Sequence, residues 1–215
     1  TGNFGNILAG WIAKKMGLPI SRLICGSNQN DILTRFFESG IMKRKSVSPS
    51  YSPSMDIQVS SNFERLLYEI NNRDTNLVKK QMNGFKVDGS FNINQDQLNK
   101  INNVFSAFTI DDVETIDIIK KTYLNHKYII DPHSAVGYGA VEKAIQQKII
   151  SNNSPIISLA CAHPAKFPQV IKKSIGITPK SSAHLDKIMR QKENFKVIDP
   201  NLKDIQEYIK KTMRK

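Results

Sequence analysis

The first six residues contain the clearest candidate for ligand chemistry in this chain. They read Thr-Gly-Asn-Phe-Gly-Asn, and a helical pattern follows at once. Two glycines three apart let the backbone turn tightly and bring its N–H groups close to a ligand, and a helix that begins near Asn6 adds the N–H groups of its first turn. Such a site suits an anion, above all a phosphate. A simple turn that caps a helix is the alternative interpretation of the same residues.

The cysteines and histidines do not form a metal-binding pattern. Cys25 and Cys161 are far apart, and each lies in an apolar run. We expect them to be buried free thiols in a reducing compartment, which predicts a cytoplasmic protein. The four histidines lack ligand spacing with cysteine or carboxylate. His133 and His163 each stand beside a proline at a strand-to-helix turn, where an imidazole can hold the turn or contact a ligand.

Composition places the chain among globular proteins. It has 215 residues, of which 40% are hydrophobic, and no apolar run is long enough to span a membrane. The formal net charge is +12, yet the lysines are scattered and no aromatic-rich RNA-binding motif accompanies them. Solvated lysines therefore explain the charge better than nucleic-acid binding, and the basic field would attract an anionic substrate.

Apolar periodicity predicts an α/β protein with a mainly helical middle segment. The middle segment contains a serine- and proline-rich loop at 46–54, and residues 55–59 fit either a strand or an extended segment. The predicted strands span 22–26, 128–130 and 155–161, and the predicted helices span 6–16, 31–37, 63–70, 96–108 and 111–125, with two more after Asp131-Pro132 and Asp199-Pro200. In α/β proteins a phosphate loop follows a strand, which here would precede Thr1, so we expect a fragment of a longer protein.

Four stretches together resemble threonine synthase. They are TGNFGNILAG with AKKMGLPI (residues 1–20), SPSMDIQVSSNFERLL (52–67), DPHSAVG (131–137) and AHPAKF (162–167). Each motif alone is a weak signal. Their order and spacing match the carboxyl-terminal half of threonine synthase over nearly the whole chain, so the chain resembles that half.

The resemblance implies a pyridoxal-phosphate (PLP) enzyme of the tryptophan-synthase β-subunit type, fold type II. This fold is an open twisted α/β sheet with helices on both faces and, here, a mainly helical insert. Residues 1–45 and 126–215 would form part of the large cofactor-binding domain, and residues 46–125 would form a loop and helical insert outside the sheet. The amino-terminal domain would be absent.

The resemblance also implies site residues. Gly2, Asn3, Phe4, Gly5 and Asn6 would hold the cofactor's phosphate, with Asn3 also facing the hydroxyl side of its ring. Threonine synthases usually carry a threonine, hydrogen-bonded to the pyridine nitrogen, at the position that is Cys161 here. A thiol is a weaker donor and acceptor, so we expect weaker tuning of the ring.

The implied reaction converts O-phospho-L-homoserine and water into L-threonine and phosphate. The lysine that makes a Schiff base with PLP lies in the family's amino-terminal half, so we expect the chain alone to be inactive and the missing half to be its partner. A non-catalytic remnant that binds phosphate compounds is an alternative. A basic nucleic-acid-binding module is a third interpretation, supported only by net charge. No membrane partner is expected.

Overall fold

The computed structural model describes residues 2–151, 153–160 and 162–213. The chain divides into two compact units, Thr1–Pro179 and Lys180–Lys215. The first unit contains, in order, α1 (Gly5–Lys15), β1 (Leu23–Ser27), α2 (Ile32–Ser39), β2 (Ile41–Lys43), α3 (Phe63–Ile70), α4 (Thr75–Val87), β3 (Ser90–Asn92), α5 (Gln95–Asn102), β4 (Phe105–Thr109), α6 (Asp112–His126), α7 (Pro132–Gln146) and α8 (Pro168–Ile175). Short 3₁₀ turns lie at Pro53–Met55 and Pro164–Lys166.

The first unit has two small sheets within its described residues. β1 and β4 pair in parallel, from Leu23 opposite Phe105 to Ser27 opposite Thr109. β2 and β3 form a separate antiparallel pair. The protein is therefore a mixed α/β structure that is mostly helical.

Helices cover both faces of the β1–β4 sheet. Successive side chains of a strand point to opposite sides, so neighbouring residues of β1 contact different helices. Cys25 lies on the face that carries the largest apolar core, together with α1, α2 and α3. Ile24 and Phe108 lie on the other face, against alanines of α7. At Gly26 a Cβ atom would stand 2.8 Å from the carbonyl oxygen of Val136, so glycine lets α7 approach β1 closely.

The second unit contains α9 (Ala183–Met189) and α10 (Leu202–Met213). Ser182 caps α9 by accepting a hydrogen bond from the backbone N–H of Leu185. The apolar side of α10 is exposed at Leu202 and Met213.

Most predicted helices form where the sequence places them. Local signals explain their bounds: Asp111 and Glu114 make a reciprocal capping box at the start of α6, Asp131 caps α7, and Gly40 ends α2 in the left-handed conformation. The strand predicted at 22–26 is confirmed as β1 with a shift of one residue.

The helix predicted over 96–108 is wrong in its second half. α5 ends at Asn102, and β4 follows after two residues. Phe105 and Phe108 are buried on opposite faces of the sheet, and such aromatic residues favour strands. Because β4 pairs with β1, the segment 46–125 does not lie wholly outside the sheet.

Three other predicted or possible strands are not found in the described residues. Residues 128–130 and 155–160 form no strand, and 55–59 contains the end of a 3₁₀ turn and irregular backbone. Apolar composition alone does not make a strand, and Ile157 is 83% exposed. In the described part of the chain, the expected open parallel sheet is consequently reduced to the β1–β4 pair.

Candidate functional site

The predicted phosphate loop has an unusual backbone conformation. Phe4 immediately precedes α1 and adopts the left-handed conformation, with φ 60° and ψ 3°. Gly5 begins the right-handed helix, and the side chain of the N-cap residue Phe4 makes no capping hydrogen bond. Successive residues of opposite helical hand direct consecutive N–H groups into one concavity, which is an anion-binding arrangement. We expected the two glycines to allow the tight turn, but the left-handed residue in it is Phe4.

Gly2 and Gly5 serve close packing. A Cβ atom at Gly2 would lie 2.8 Å from the Cα of Met55, and one at Gly5 would lie 3.4 Å from the Nδ2 of Asn62. Backbone cannot move aside as a flexible side chain can, so Gly2 fixes how closely the loop approaches the segment around Met55.

The two asparagines of the loop are exposed. The Oδ1 of Asn3 accepts hydrogen bonds from the backbone N–H of Ser61 at 2.8 Å and from its hydroxyl at 2.9 Å. The Nδ2 of Asn62 donates to the carbonyl oxygen of Asn3 at 2.9 Å. The structure therefore joins the loop to the residues just before α3. Asn6 lies in the first turn of α1.

A buried polar cluster lies at the carboxyl end of β1. The Nδ2 of Asn28 donates to the carboxylate of Asp56 at 2.8 Å and to the hydroxyls of Ser50 and Ser52. The Nδ2 of Asn30 also donates to Asp56, at 3.0 Å. These bonds hold the loop that precedes Met55 against β1, and so position the segment that contacts Gly2.

Asp131 lies at the centre of a second polar network. Its side chain is 1% exposed and caps α7 by accepting from the backbone N–H groups of His133 at 2.9 Å and Ser134 at 3.4 Å. The same carboxylate accepts from the Nδ1 of His133 at 3.1 Å, from the Ser134 hydroxyl, and from the backbone N–H of Ala162 at 3.3 Å. Burial by itself raises the pKa of Asp131, but the hydrogen bonds from His133 and Ser134 outweigh it and lower the pKa below its ordinary value.

His133 extends this network to the segment behind the loop. Its Nε2 accepts a hydrogen bond from the backbone N–H of Ser54 at 3.1 Å, which assigns the ring proton to Nδ1. Its ring lies 4.9 Å from the ring of Phe167. His133 thus holds turns together, as one of the two sequence interpretations predicted. His163 holds its own turn, because its Nδ1 accepts from the backbone N–H of Ala165 at 3.1 Å.

The structure brings the four motifs into contact through these bonds. Gly2 packs on Met55, Ser54 contacts His133, and Asp131 contacts Ala162. Cys161, predicted near the ring nitrogen, lies outside the described residues. Sequence reasoning did not find the roles of Ser61, Asn62 and Asp56. The motif Ser-Ser-Asn before α3 was the available signal, but its contact with Asn3 depends on tertiary structure.

No cluster that could hold a metal ion is found in the part of the chain that the structure describes. Cys25 is a buried free thiol, as predicted, and burial raises its pKa. Within the same residues, none of the helices has the length and apolar character needed to cross a bilayer.

Comparison with known proteins identifies one family. The family model described as "Threonine synthase, C-terminal" matches residues 134–209. The threonine synthase of Pseudomonas aeruginosa is 36% identical over 210 residues, which cover 97% of this chain and 44% of that protein. The threonine synthase of Saccharomyces cerevisiae is 38% identical over 222 residues, covering 96% of this chain and 43% of that protein.

Solved structures agree with these sequence matches. PLP-bound threonine synthase from Brucella melitensis is 44% identical and superimposes with a TM-score of 0.87, covering 100% of this chain and 45% of that one. Yeast threonine synthase is 34% identical with a TM-score of 0.86, covering 100% and 46%. The chain thus spans less than half the length of the relatives that it matches.

Proposed function

Because the chain belongs to the threonine synthase family and matches its carboxyl-terminal portion, we propose that residues 2–6 and the start of α1 bind the phosphate of PLP. The observation that carries this proposal is the left-handed Phe4 directly before the right-handed start of α1, an arrangement that directs consecutive backbone N–H groups into one concavity. PLP is the ligand of the Brucella melitensis structure, which supports the choice of phosphate compound.

The residues present fit a phosphate. Backbone N–H groups at the start of a helix favour an anion through both hydrogen bonds and the helix dipole. A hydrogen bond to a charged group contributes about 1.5–3 kcal/mol, so two or three such bonds account for a substantial affinity. No acidic residue lies in the first turn of α1 to oppose an anion.

The remaining motifs would place the rest of the cofactor. Asp131 fixes the backbone at Ala162, the residue after Cys161, and we propose that Cys161 faces the ring nitrogen as a weak hydrogen-bond partner. The cofactor supplies an electron sink, while the protein supplies binding and orientation. His133 acts on the turns around this site and carries no proton to a substrate in this proposal.

For the complete enzyme we propose the family reaction, conversion of O-phospho-L-homoserine and water to L-threonine and phosphate. A segment with the Schiff-base lysine would have to join this chain, because the reaction requires that lysine. Exposed Ile156, Ile157 and Leu159 support such an association, since a neighbouring strand would cover them and complete an open sheet of fold type II. The isolated chain is then a cofactor-binding part without activity of its own.

Binding of 4-deoxypyridoxine 5′-phosphate tests the phosphate site. This PLP analogue lacks the aldehyde and so cannot react with the many lysines of the chain. Titration calorimetry at about 0.15 M salt should show binding of the phosphorylated analogue and at least about tenfold weaker binding of 4-deoxypyridoxine. Inorganic phosphate should compete.

A pair of glycine variants gives the matched control. Gly2→Ala should weaken binding, because its Cβ would meet the Met55 backbone at 2.8 Å, whereas Gly84→Ala in α4 makes only an ordinary contact at 3.5 Å and should bind as the wild type does. Neither variant changes the net charge. Equal affinity for the two analogues, or unchanged binding by Gly2→Ala, would contradict the proposal.

A further inference from the structure

A buried aromatic cluster stands directly behind the phosphate loop. We define the aromatic cluster as Phe4, Phe37, Phe63 and Phe105, all of which belong to the main apolar core. The ring of Phe4 lies 5.2 Å from that of Phe63, 5.9 Å from that of Phe105 and 6.3 Å from that of Phe37. The loop is therefore anchored at once to α3, β4 and α2.

The conformation of Phe4 requires such an anchor. A φ of 60° lies in the left-handed backbone region, which L-residues avoid and which residues with a bulky side chain rarely adopt. Phe4 is 0% exposed, so complete burial of its ring compensates for the strained backbone. Its carbonyl oxygen also accepts from the N–H of Leu8 at 3.0 Å, so the same residue is the N-cap of α1.

Glycines do not explain this backbone shape. Gly2 and Gly5 are not among the described residues with positive φ. The Phe4 ring in its pocket, together with the hydrogen bonds that join Asn3 to Ser61 and Asn62, holds the left-handed residue that turns the N–H groups towards one point. The aromatic cluster thus selects the conformation that the anion site needs.

We propose that the side chain of Phe4 is a positioning residue for the phosphate site, and that the aromatic cluster holds the loop in its binding conformation before the ligand arrives. This inference rests on the proposed phosphate-binding function. Phe4 acts through the backbone of residues 4–6, and its ring makes no contact with the ligand in this proposal.

Two variants of equal burial separate positioning from stability. Phe36 is also 0% exposed and contacts Phe63 at 4.7 Å, but no ring contact joins it to Phe4 among the described pairs. Phe4→Leu and Phe36→Leu should lower the melting temperature by similar amounts. Phe4→Leu alone should weaken binding of 4-deoxypyridoxine 5′-phosphate, by about tenfold, since it releases the left-handed conformation. Phe36→Leu should change the affinity less than about twofold.

Phe4→Gly provides a second arm, because glycine adopts the left-handed conformation without penalty and yet removes the anchor. It should bind the analogue as weakly as Phe4→Leu does or more weakly. Wild-type affinity in Phe4→Gly, or equal losses of affinity in Phe4→Leu and Phe36→Leu, would overturn the proposal.

Amide hydrogen exchange without ligand distinguishes this inference from the proposed function. Exchange of the Leu8 amide, which donates to the carbonyl oxygen of Phe4, should be faster in Phe4→Leu than in Phe36→Leu, while exchange in β1 stays alike in the two. Equal exchange at Leu8 would refute the anchoring role. A wild-type chain that shows a protected Leu8 amide but binds no analogue would refute the phosphate site instead.

Discussion

Replacement of Asp131 by asparagine should destabilise the protein far more than loss of an ordinary helix cap. The carboxylate is almost fully buried and accepts hydrogen bonds from two backbone N–H groups of α7, from His133 Nδ1, from the Ser134 hydroxyl and from the Ala162 N–H. The asparagine side chain would keep one acceptor oxygen and turn an NH₂ group towards donors. Loss of about two charge-assisted bonds predicts a decrease of about 3 kcal/mol in the free energy of unfolding at neutral pH.

The difference between wild type and Asp131→Asn should depend on pH. The pKa of folded Asp131 is lower than its ordinary value, so its ionised form stabilises the fold fully above the unfolded pKa of about 3.9. This contribution is lost as the pH falls through the folded pKa. Protonated Asp131 resembles asparagine, and we therefore expect the gap in unfolding free energy to narrow below about pH 4. Urea denaturation monitored by circular dichroism, from about pH 7 to about pH 3, measures this difference in the free energy of unfolding.

Asp74 offers a matched control for the cap alone. Its carboxylate caps α4 by accepting from the N–H groups of Asn76 and Leu77, but it is exposed. Asp74→Asn should cost only a few tenths of a kcal/mol, because asparagine caps about as well as aspartate. A loss below about 1 kcal/mol in Asp131→Asn, or a gap that stays constant across the whole acid range, would refute the central role given to the buried carboxylate.

Three further substitutions test packing and polar contacts by the same denaturation assay. Gly84→Ala should raise the free energy of unfolding by about 0.5–1 kcal/mol, because α4 gains helix propensity at a site with room for a methyl group; a decrease would show hidden crowding. Gly139→Ala should lower the free energy of unfolding by about 1–3 kcal/mol, since the added methyl would overlap the side chain of Ile118; an unchanged value would mean that α6 and α7 shift easily. Asn28→Ala should lower the free energy of unfolding by about 2–3 kcal/mol, because it leaves the Asp56 cluster without its main donor. A decrease no larger than that caused by replacing an exposed asparagine, as in Asn99→Ala, would contradict the structural role of Asn28.

The sequence predicted those elements whose signals are local. Capping residues such as Asp111 and Asp131 fix helix starts within a few residues of chain, and Gly40 fixes an end. The proposed location of the phosphate loop likewise rests on spacing and resemblance. Its conformation is not predictable from them, because the left-handed residue is Phe4, whose ring is held by tertiary packing against other aromatic rings.

Strands are predicted less well for the same physical reason. The sequence pattern favours a helix through β4, although Phe105 and Phe108 fit a buried strand, because the pairing partner β1 lies far away in the chain. Residues 155–160 have strand-like composition but form no strand in the structure. The polar network around Asp131 is not predictable beyond its cap, since a sequence does not show which distant N–H groups a carboxylate accepts from.

The contacts that assemble the candidate site join residues that are far apart in sequence. Asn3 bonds to Ser61 across 58 positions, Ser54 to His133 across 79, and Asp131 to Ala162 across 31. Closing such long loops costs chain entropy before any contact rewards it, so these bonds belong to the slow, late part of folding. During synthesis on the ribosome, the contacts around the loop at Asn3 would therefore be complete only after residues as distant as Ala162 have emerged.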